Sequence, residues 1–428
     1  MQYKGFVHPG FSAVASEFIR QIPRDGRSGA ALAVYYQGRS VVDIWAGERD
    51  QQGNPWLEDT LALSFSTTKG VASVMLHMLV DRGLIEYDKP VSYYWPEFHG
   101  SGKHEITVRH LLCHQSGLYN IRDLIDDAMH MVDWEHMIDR LEKATPVHRP
   151  GTSHGYHGLT YGWLLGELMS RVTGKSFAEL LLELLVVPLE LDGMYVGLPD
   201  EQMQRRSLLT AYPAESRAPS NKLNQPRPRR KPNLIKQARG QMISGAFRLA
   251  GLDPDNIAAG LAPKGIGRFS FNDPRVVQSC IPAANGMFTA RSLSRMYGAI
   301  AEGGELDGVR ILSSQRVREM AEIQSRRIDR VVPIPMHWRL GFHRVFTTGP
   351  RTPEAFGHFG WGGSGAWCDP SRRLGVGFIV NSSGGTSPFG DTRIARLNGA
   401  IIRSAEQVEG KRGPFRNIIT DRFYDLVN

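Results

Sequence analysis

Sheet-forming stretches stand near both ends of this chain, and a block of helical patterning separates them. A sheet must therefore be assembled from segments far apart in sequence. Ala30 to Tyr36 and Ser40 to Trp45 are β-rich runs joined by Gln37-Gly38-Arg39, which reads as a hairpin and as the first two strands of an antiparallel sheet. Leu340 to Phe346, Phe356 to Phe359, Gly365 to Cys368 and Leu374 to Asn381 are β-like as well. Phe11, Val14, Phe18 and Ile22 mark an N-terminal amphipathic helix, and Ile394 to Ile402 a last one. From Thr60 to about Leu191 the pattern is mostly helical, including Asp123 to Ala144, Tyr161 to Val172 and Phe177 to Leu185. The expectation is an α/β (α+β) fold with residues 1–60 and 275–428 as its sheet part and 61–198 as a helical part. Residues 199–274 are the least regular and read as an insertion or lid.

With 428 residues the chain can bury a large core. Hydrophobic residues at 41% and charged residues at 22% are those of an ordinary globular protein. No run reaches the roughly 18 apolar residues of a membrane span, and the first residues show no apolar segment of a secretory signal. Cys113, Cys280 and Cys368 are few and widely spaced, which suits a reducing cytoplasm. The net charge of +8 suggests nucleic acid until it is located. Ten Lys or Arg fall between Arg205 and Arg239 against Glu215 alone, so the rest of the chain is near neutral. One basic, Pro-containing segment reads as a solvated loop or an anion contact, and no nucleic-acid partner is expected.

Within the helical block, Ser64-Phe65-Ser66-Thr67-Thr68-Lys69-Gly70 precedes an apolar run from Val71 to Val80. Val71, Val74, Met75, Met78 and Leu79 have the spacing of a helix burying one face, ending near Gly83. Ser66 then stands at the helix start with Lys69 one turn on, so the Lys69 nitrogen reaches the Ser66 hydroxyl. A hydroxyl needs a neighbouring base to become a good nucleophile, and a lysine held among apolar groups can supply one. The positive end of the helix dipole lies where charge develops on an acyl carbonyl. The competing reading of Ser66 is a plain N-cap.

Several separated stretches together resemble one family. Ser66-Thr67-Thr68-Lys69 resembles the S-x-x-K motif of serine β-lactamases and penicillin-binding proteins. Ile106 to Leu118 looks like the segment that follows it in the class C-like branch. Pro150-Gly151-Thr152 leading to Tyr156 resembles that branch's Y-x-N motif. Asn285 to Ala290 and Gly357-His358-Phe359-Gly360-Trp361-Gly362-Gly363 complete the series, the last where the family has K-T-G on an edge strand. The chain departs from the pattern in two places: Tyr156-His157-Gly158 lacks the Asn, and His358-Phe359-Gly360 lacks the Lys. Both departures look like the family VIII carboxylesterases, the esterases of the β-lactamase fold. Losing the Lys removes the fixed cation for a β-lactam carboxylate, which a neutral ester does not need.

The resemblance implies a β-lactamase-like fold with the site between sheet and helical parts, and a serine esterase acting through an acyl-enzyme on short-chain acyl esters. It makes Ser66 the nucleophile, Lys69 its proton acceptor and Tyr156 a second proton-transfer group. A Tyr pKa near 10 is too high for that alone, so a cation at Lys69 is expected to lower it. The backbone N–H groups of Ser66 and Trp361 would form the oxyanion hole. His358 would donate to substrate, and Gly360, Gly362 and Gly363 would let strand and substrate approach closely. Tyr156 and Trp361 read otherwise as core or packing aromatics, and the glycines as a turn. His110, His114, His154 and His157 fit no metal-ligand spacing, and no cofactor motif is present, so neither metal nor cofactor is expected. A β-lactamase or D-amino-acid peptidase, an acyltransferase to an alcohol, and an inactive binding protein remain the alternatives; oligomeric state is not legible.

Overall fold

Seven strands form one antiparallel sheet whose halves come from opposite ends of the chain, in a computed structural model that describes residues 1–211, 254–383 and 393–410. Strands β1 (Lys4–Val7), β2 (Gly29–Tyr36) and β3 (Arg39–Gly47) supply one half, and β4 (His343–Arg344), β5 (Phe356–Phe359), β6 (Gly365–Asp369) and β7 (Leu374–Val380) the other. Their spatial order is β1-β3-β2-β7-β6-β5-β4. The halves join where β7 runs antiparallel to β2, with Leu374 opposite Tyr36 and Val380 opposite Ala30. The β2–β3 hairpin turns through Gln37 (φ 51°) and Gly38 (φ 74°), the two left-handed residues that match strand twist. The hairpin is not the start of the sheet: β1 precedes it, a short and largely exposed edge strand on β3.

Five helices position the rest: α1 (Ser12–Gln21), α2 (Thr67–Asp81), α3 (Thr160–Thr173), α4 (Ala290–Ala301) and α5 (Arg393–Gly410). Strand side chains alternate faces, and the sequence uses both. Ala30, Leu32 and Val34 of β2, with Leu374, Val376 and Phe378 of β7, pack on α1 and α5. The opposite face of β7 carries glycine so that α4 can lie flat on it. A Cβ at Gly375 would come 2.3 Å from Gly298 N, and one at Gly377 would come 2.4 Å from Ala290 O.

Helix α2 buries all of Thr67 to Val80, not the single face that its apolar spacing implies. It lies between α3 on one side and β5 on the other, and a helix enclosed by both layers has no wet face. Asp123 to Ala144 is likewise not one helix. Asp127 accepts from the Met129 N–H and Asp133 from the His136 N–H, so each aspartate starts a new element, at Ala128–Val132 and at Trp134–Lys143. Only His343–Arg344 of the 340–346 run joins the sheet.

The 199–274 stretch is more regular than expected where it is described. A 3-10 turn spans Asp200–Arg205, Thr210–Ala211 pairs in parallel with Ser382–Ser383, and Pro254–Leu261 is a helix. Arg205 grips Asp192 through two hydrogen bonds of 2.9 Å, so this member of the basic cluster is structural. The cluster beyond residue 211 lies outside the described residues.

Candidate active site

The nucleophile loop hangs from a small three-stranded sheet, in which Met287–Phe288 pairs with both Ala62–Leu63 and Met194–Tyr195. Ser64 N–H donates to Gly286 O (2.9 Å) and Gly286 N–H donates to Thr68 Oγ1 (3.0 Å). Asn285 holds its own turn, its amide donating to the carbonyls of Val276 and Ser279. The Asn285-Gly286 motif is thus the frame of the loop. Phe65 bends it with φ 45°, a left-handed angle costly for a side-chain-bearing residue. The loop delivers Ser66 to the start of α2, half-buried, and the Ser66 side chain makes no capping hydrogen bond. The N-cap reading therefore fails, and the hydroxyl is free for other partners.

Those partners are two. Lys69 Nζ lies 2.9 Å from Ser66 Oγ, and the Tyr156 phenol donates to the same oxygen at 2.7 Å. Lys69 is completely buried, and its ammonium form loses its water there, so burial pushes its pKa well below the ordinary lysine value. Its nitrogen also donates to Gly158 O (2.7 Å) and Ala283 O (2.9 Å). In a neutral amine these two carbonyls occupy both N–H bonds, and the lone pair is left facing the serine hydroxyl.

Tyr156 is 8% exposed. Burial raises its pKa above the ordinary value, the Ser66 hydrogen bond lowers it, and the charge of Asp329 raises it further. The net shift is opposite to the lowering expected from a cation at Lys69, because burial of the phenol is the largest cause. Lys69 Nζ lies 4.9 Å from the Tyr156 ring centroid, within the range at which an ammonium interacts with an aromatic face. The Trp338 indole, buried and absent from the sequence argument, stacks on Tyr156 with centroids 5.6 Å apart and planes 10° apart.

Strand β5 brings up the remaining residues. Only Phe356 and Gly357 pair with β4, so beyond them the strand becomes an edge facing the site. His358 is buried, with its ring 6.1 Å from that of Tyr156 and 4.7 Å from that of His343. Neither ring nitrogen has a hydrogen-bond partner among the described residues. Burial holds the imidazole neutral, far below its ordinary pKa. Gly360, just beyond the strand, lies against the nucleophile loop, where a Cβ would come 2.3 Å from Ser64 O. Trp361 does not lie on the strand. It sits in the turn that follows, 62% exposed, which excludes the packing reading. Gly363 (φ 97°) closes that turn by donating to Gly360 O (3.1 Å), and Gly362 O accepts from Arg393 (3.3 Å). The glycines therefore make a turn, and Gly360 makes the close approach as well.

The other histidines are occupied separately. His110 completes a capping box with Thr107, His154 lies 3.0 Å from Arg327 O, and His157 Nε2 lies 2.6 Å from Ser116 Oγ. Among the described residues no three His, Cys, Asp or Glu side chains converge as a metal site. Sequence reasoning missed the Gly158 and Ala283 carbonyls, because a backbone acceptor carries no residue-type signal.

An enclosed helix that starts at Ser66 and carries Lys69, a phenol from the loop before α3 and a strand edge define an S-x-x-K serine site on a sheet built from both chain ends. The sequence profile of the family described as Beta-lactamase matches residues 15–400, and the chain belongs to that family. It is 38% identical over 420 residues to the esterase/beta-lactamase LipL of Mycobacterium tuberculosis, covering 96% of this chain and 90% of that one. The solved structure of a family VIII carboxylesterase superposes with a TM-score of 0.78 at 31% identity, over 94% of this chain and 100% of that one. A penicillin-binding protein homologue from Caulobacter crescentus superposes with a TM-score of 0.77 at 32% identity, over the same shares.

Proposed function

We propose that this protein is a serine carboxylesterase that cleaves short-chain acyl esters through an acyl-enzyme on Ser66. The observation that carries the reading is one uncommitted hydroxyl within hydrogen-bond reach of both a buried amine and a buried phenol. The Lys69 lone pair takes the Ser66 proton as Oγ attacks the ester carbonyl. The N–H groups of Ser66 and Trp361 receive the oxyanion; neither donates to a backbone acceptor among the described residues. The Tyr156 phenol gives its proton to the departing alkoxide, and the phenolate left behind faces the new Lys69 ammonium. In the second half the phenolate takes a proton from water, the hydroxide attacks the acyl group, and Lys69 returns its proton to Ser66 Oγ. Each group ends as it began.

Preference for a neutral ester over a β-lactam follows from His358. A buried, neutral imidazole stands where a fixed cation would hold a carboxylate. The similarity to LipL, named both esterase and beta-lactamase, keeps the second activity as the alternative reading. Acyl transfer to an alcohol uses the same groups and predicts a new ester when an alcohol is added. The unpaired Cys113, Cys280 and Cys368 support a reducing, cytoplasmic setting. No helix among the described residues is long and apolar enough to cross a membrane.

The test is the mass of the Ser66 peptide after quenching with substrate, expected to rise by one acyl group and not to rise in Ser66→Ala. Lys69→Ala and Tyr156→Phe are each expected to lower turnover at least about a hundredfold, the scale of general acid–base catalysis. A chromogenic cephalosporin turned over much faster than p-nitrophenyl butyrate would replace esterase with β-lactamase. A folded protein whose Ser66 resists a fluorophosphonate probe would be a binding protein instead.

A further inference from the structure

Tyr156 stands on a loop with no helix or strand to hold it, yet its phenol must meet Ser66 Oγ within a few tenths of an ångström. The loop's successive amides are each tied down. Gly155 N–H donates to His114 O (3.1 Å), Tyr156 N–H to Asp329 Oδ1 (2.9 Å) and His157 N–H to His114 Nδ1 (3.2 Å). Arg330 N–H donates to His154 O (3.0 Å), so the chain around Asp329 lies along the loop.

Asp329 is 1% exposed and 173 positions from Tyr156. Its Oδ1 also accepts from Val331 N–H (2.7 Å) and Val332 N–H (2.9 Å), and its Oδ2 from Trp338 Nε1–H (3.1 Å). All four partners are donors, which an acceptor-only carboxylate satisfies and a carboxylic acid does not. Such charge-assisted bonds in a dry interior are strong and directional. Trp338 is the ring stacked on Tyr156.

We propose that Asp329 is the positioning residue of Tyr156: one carboxylate oxygen fixes the backbone of the phenol-bearing residue, and the other fixes the indole against which the phenol lies. The proposal rests on the reading of Tyr156 as proton donor to the leaving group. Asn in place of Asp keeps the shape but puts an N–H₂ among donors, so either the Tyr156 amide or the Trp338 indole loses its acceptor.

The experiment compares two leaving groups. An ethoxide must be protonated to depart, whereas p-nitrophenolate departs without a proton, so kcat/KM for acylation depends on the phenol only for the first. Asp329→Asn is expected to lower kcat/KM at least about tenfold on ethyl butyrate and less than about threefold on p-nitrophenyl butyrate, with no further loss on ethyl butyrate in a Tyr156→Phe background. Trp338→Phe keeps the ring and removes its donor. It should show the same leaving-group contrast with a smaller amplitude, and it carries the test if Asp329→Asn does not fold. Equal losses on the two esters, no loss at all, or losses that multiply with Tyr156→Phe would each overturn the positioning role while leaving Tyr156 as the acid. Full activity of Tyr156→Phe itself on ethyl butyrate would remove the underlying reading, and the positioning role with it.

Discussion

Gly360 follows β5 at a point where a side chain has nowhere to go. A Cβ there would stand 2.3 Å from Ser64 O and 3.1 Å from Phe65 Cβ, and Phe65 is already held in a left-handed conformation. An added methyl must push the loop that carries Ser66, because the backbone carbonyl it meets cannot rotate away. Gly360→Ala should therefore cost about 1–3 kcal/mol of stability by overpacking. It should cost proportionally more activity, since a displacement near 1 Å at reacting atoms lowers rates about a hundredfold. Steady-state kcat beside a thermal melt checks this, and a variant that melts lower but turns over normally would show the loop to be more compliant than its geometry says. A glycine needing close approach was visible at this position in the sequence. That the approach is to the nucleophile loop was not, because the contact joins residues near 360 to residues near 64. The same limit applies to Tyr156: its order in the chain marks it, but whether its phenol is charged depends on burial, which spacing does not encode.

At the scale of the element, α2 was the most legible part of the chain, and its environment the least. Its start, its end and the Ser66–Lys69 spacing follow from an apolar helical pattern closed by Gly83 (φ 73°). The absence of any exposed face comes from α3 and β5, elements distant in sequence. Gly70 shows what that enclosure requires. Alanine is the better helix former by about 1 kcal/mol, but a Cβ at Gly70 would come 2.3 Å from the Tyr297 hydroxyl of α4. Tyr297 is wholly buried, and its hydroxyl has no hydrogen-bond partner among the described residues. Gly70→Ala should accordingly destabilise the protein despite its propensity gain. Tyr297→Phe should be neutral or stabilising by up to about 1 kcal/mol, since it removes an unsatisfied buried group. The double variant should recover most of the Gly70→Ala loss, because without the oxygen the nearest remaining atoms stand at 3.4 Å and 3.5 Å, ordinary contacts. Urea unfolding of the four proteins measures the coupling; strictly additive effects would mean that the clash is relieved elsewhere.

For the molecule as a whole, the sheet from two chain ends was readable because each half carries its own β-rich runs; β1 was too short to announce itself, and β4 is only the middle of the run that marked it. What the sequence did not disclose is how many titratable groups the assembled layers enclose. His77 of α2, His157 of the Tyr156 loop and His343 of β4 are all buried. Loss of water drives their pKa values from 6.5 down to about 4, about 3 and about 4. Leu340 O accepts from His77 Nε2–H at 2.9 Å, so Nδ1 is the acceptor for the Tyr87 hydroxyl at 2.6 Å, and a second proton has no place on the ring. Between pH 6.5 and about 4 the unfolded chain binds these protons and the folded chain does not, so acid favours unfolding. Each histidine fully in this window changes stability by about 1.4 kcal/mol per pH unit, falling as pH falls. Stability should then be flat just above neutrality and decline from pH 6.5 to 5, before most carboxylates begin to titrate. Urea midpoints at half-unit steps measure the slope. His77→Gln should be less stable at pH 7 yet lose stability less steeply toward pH 5, by about one histidine's share. An unchanged slope in that variant would mean that His77 takes up its proton without unfolding the layers around it.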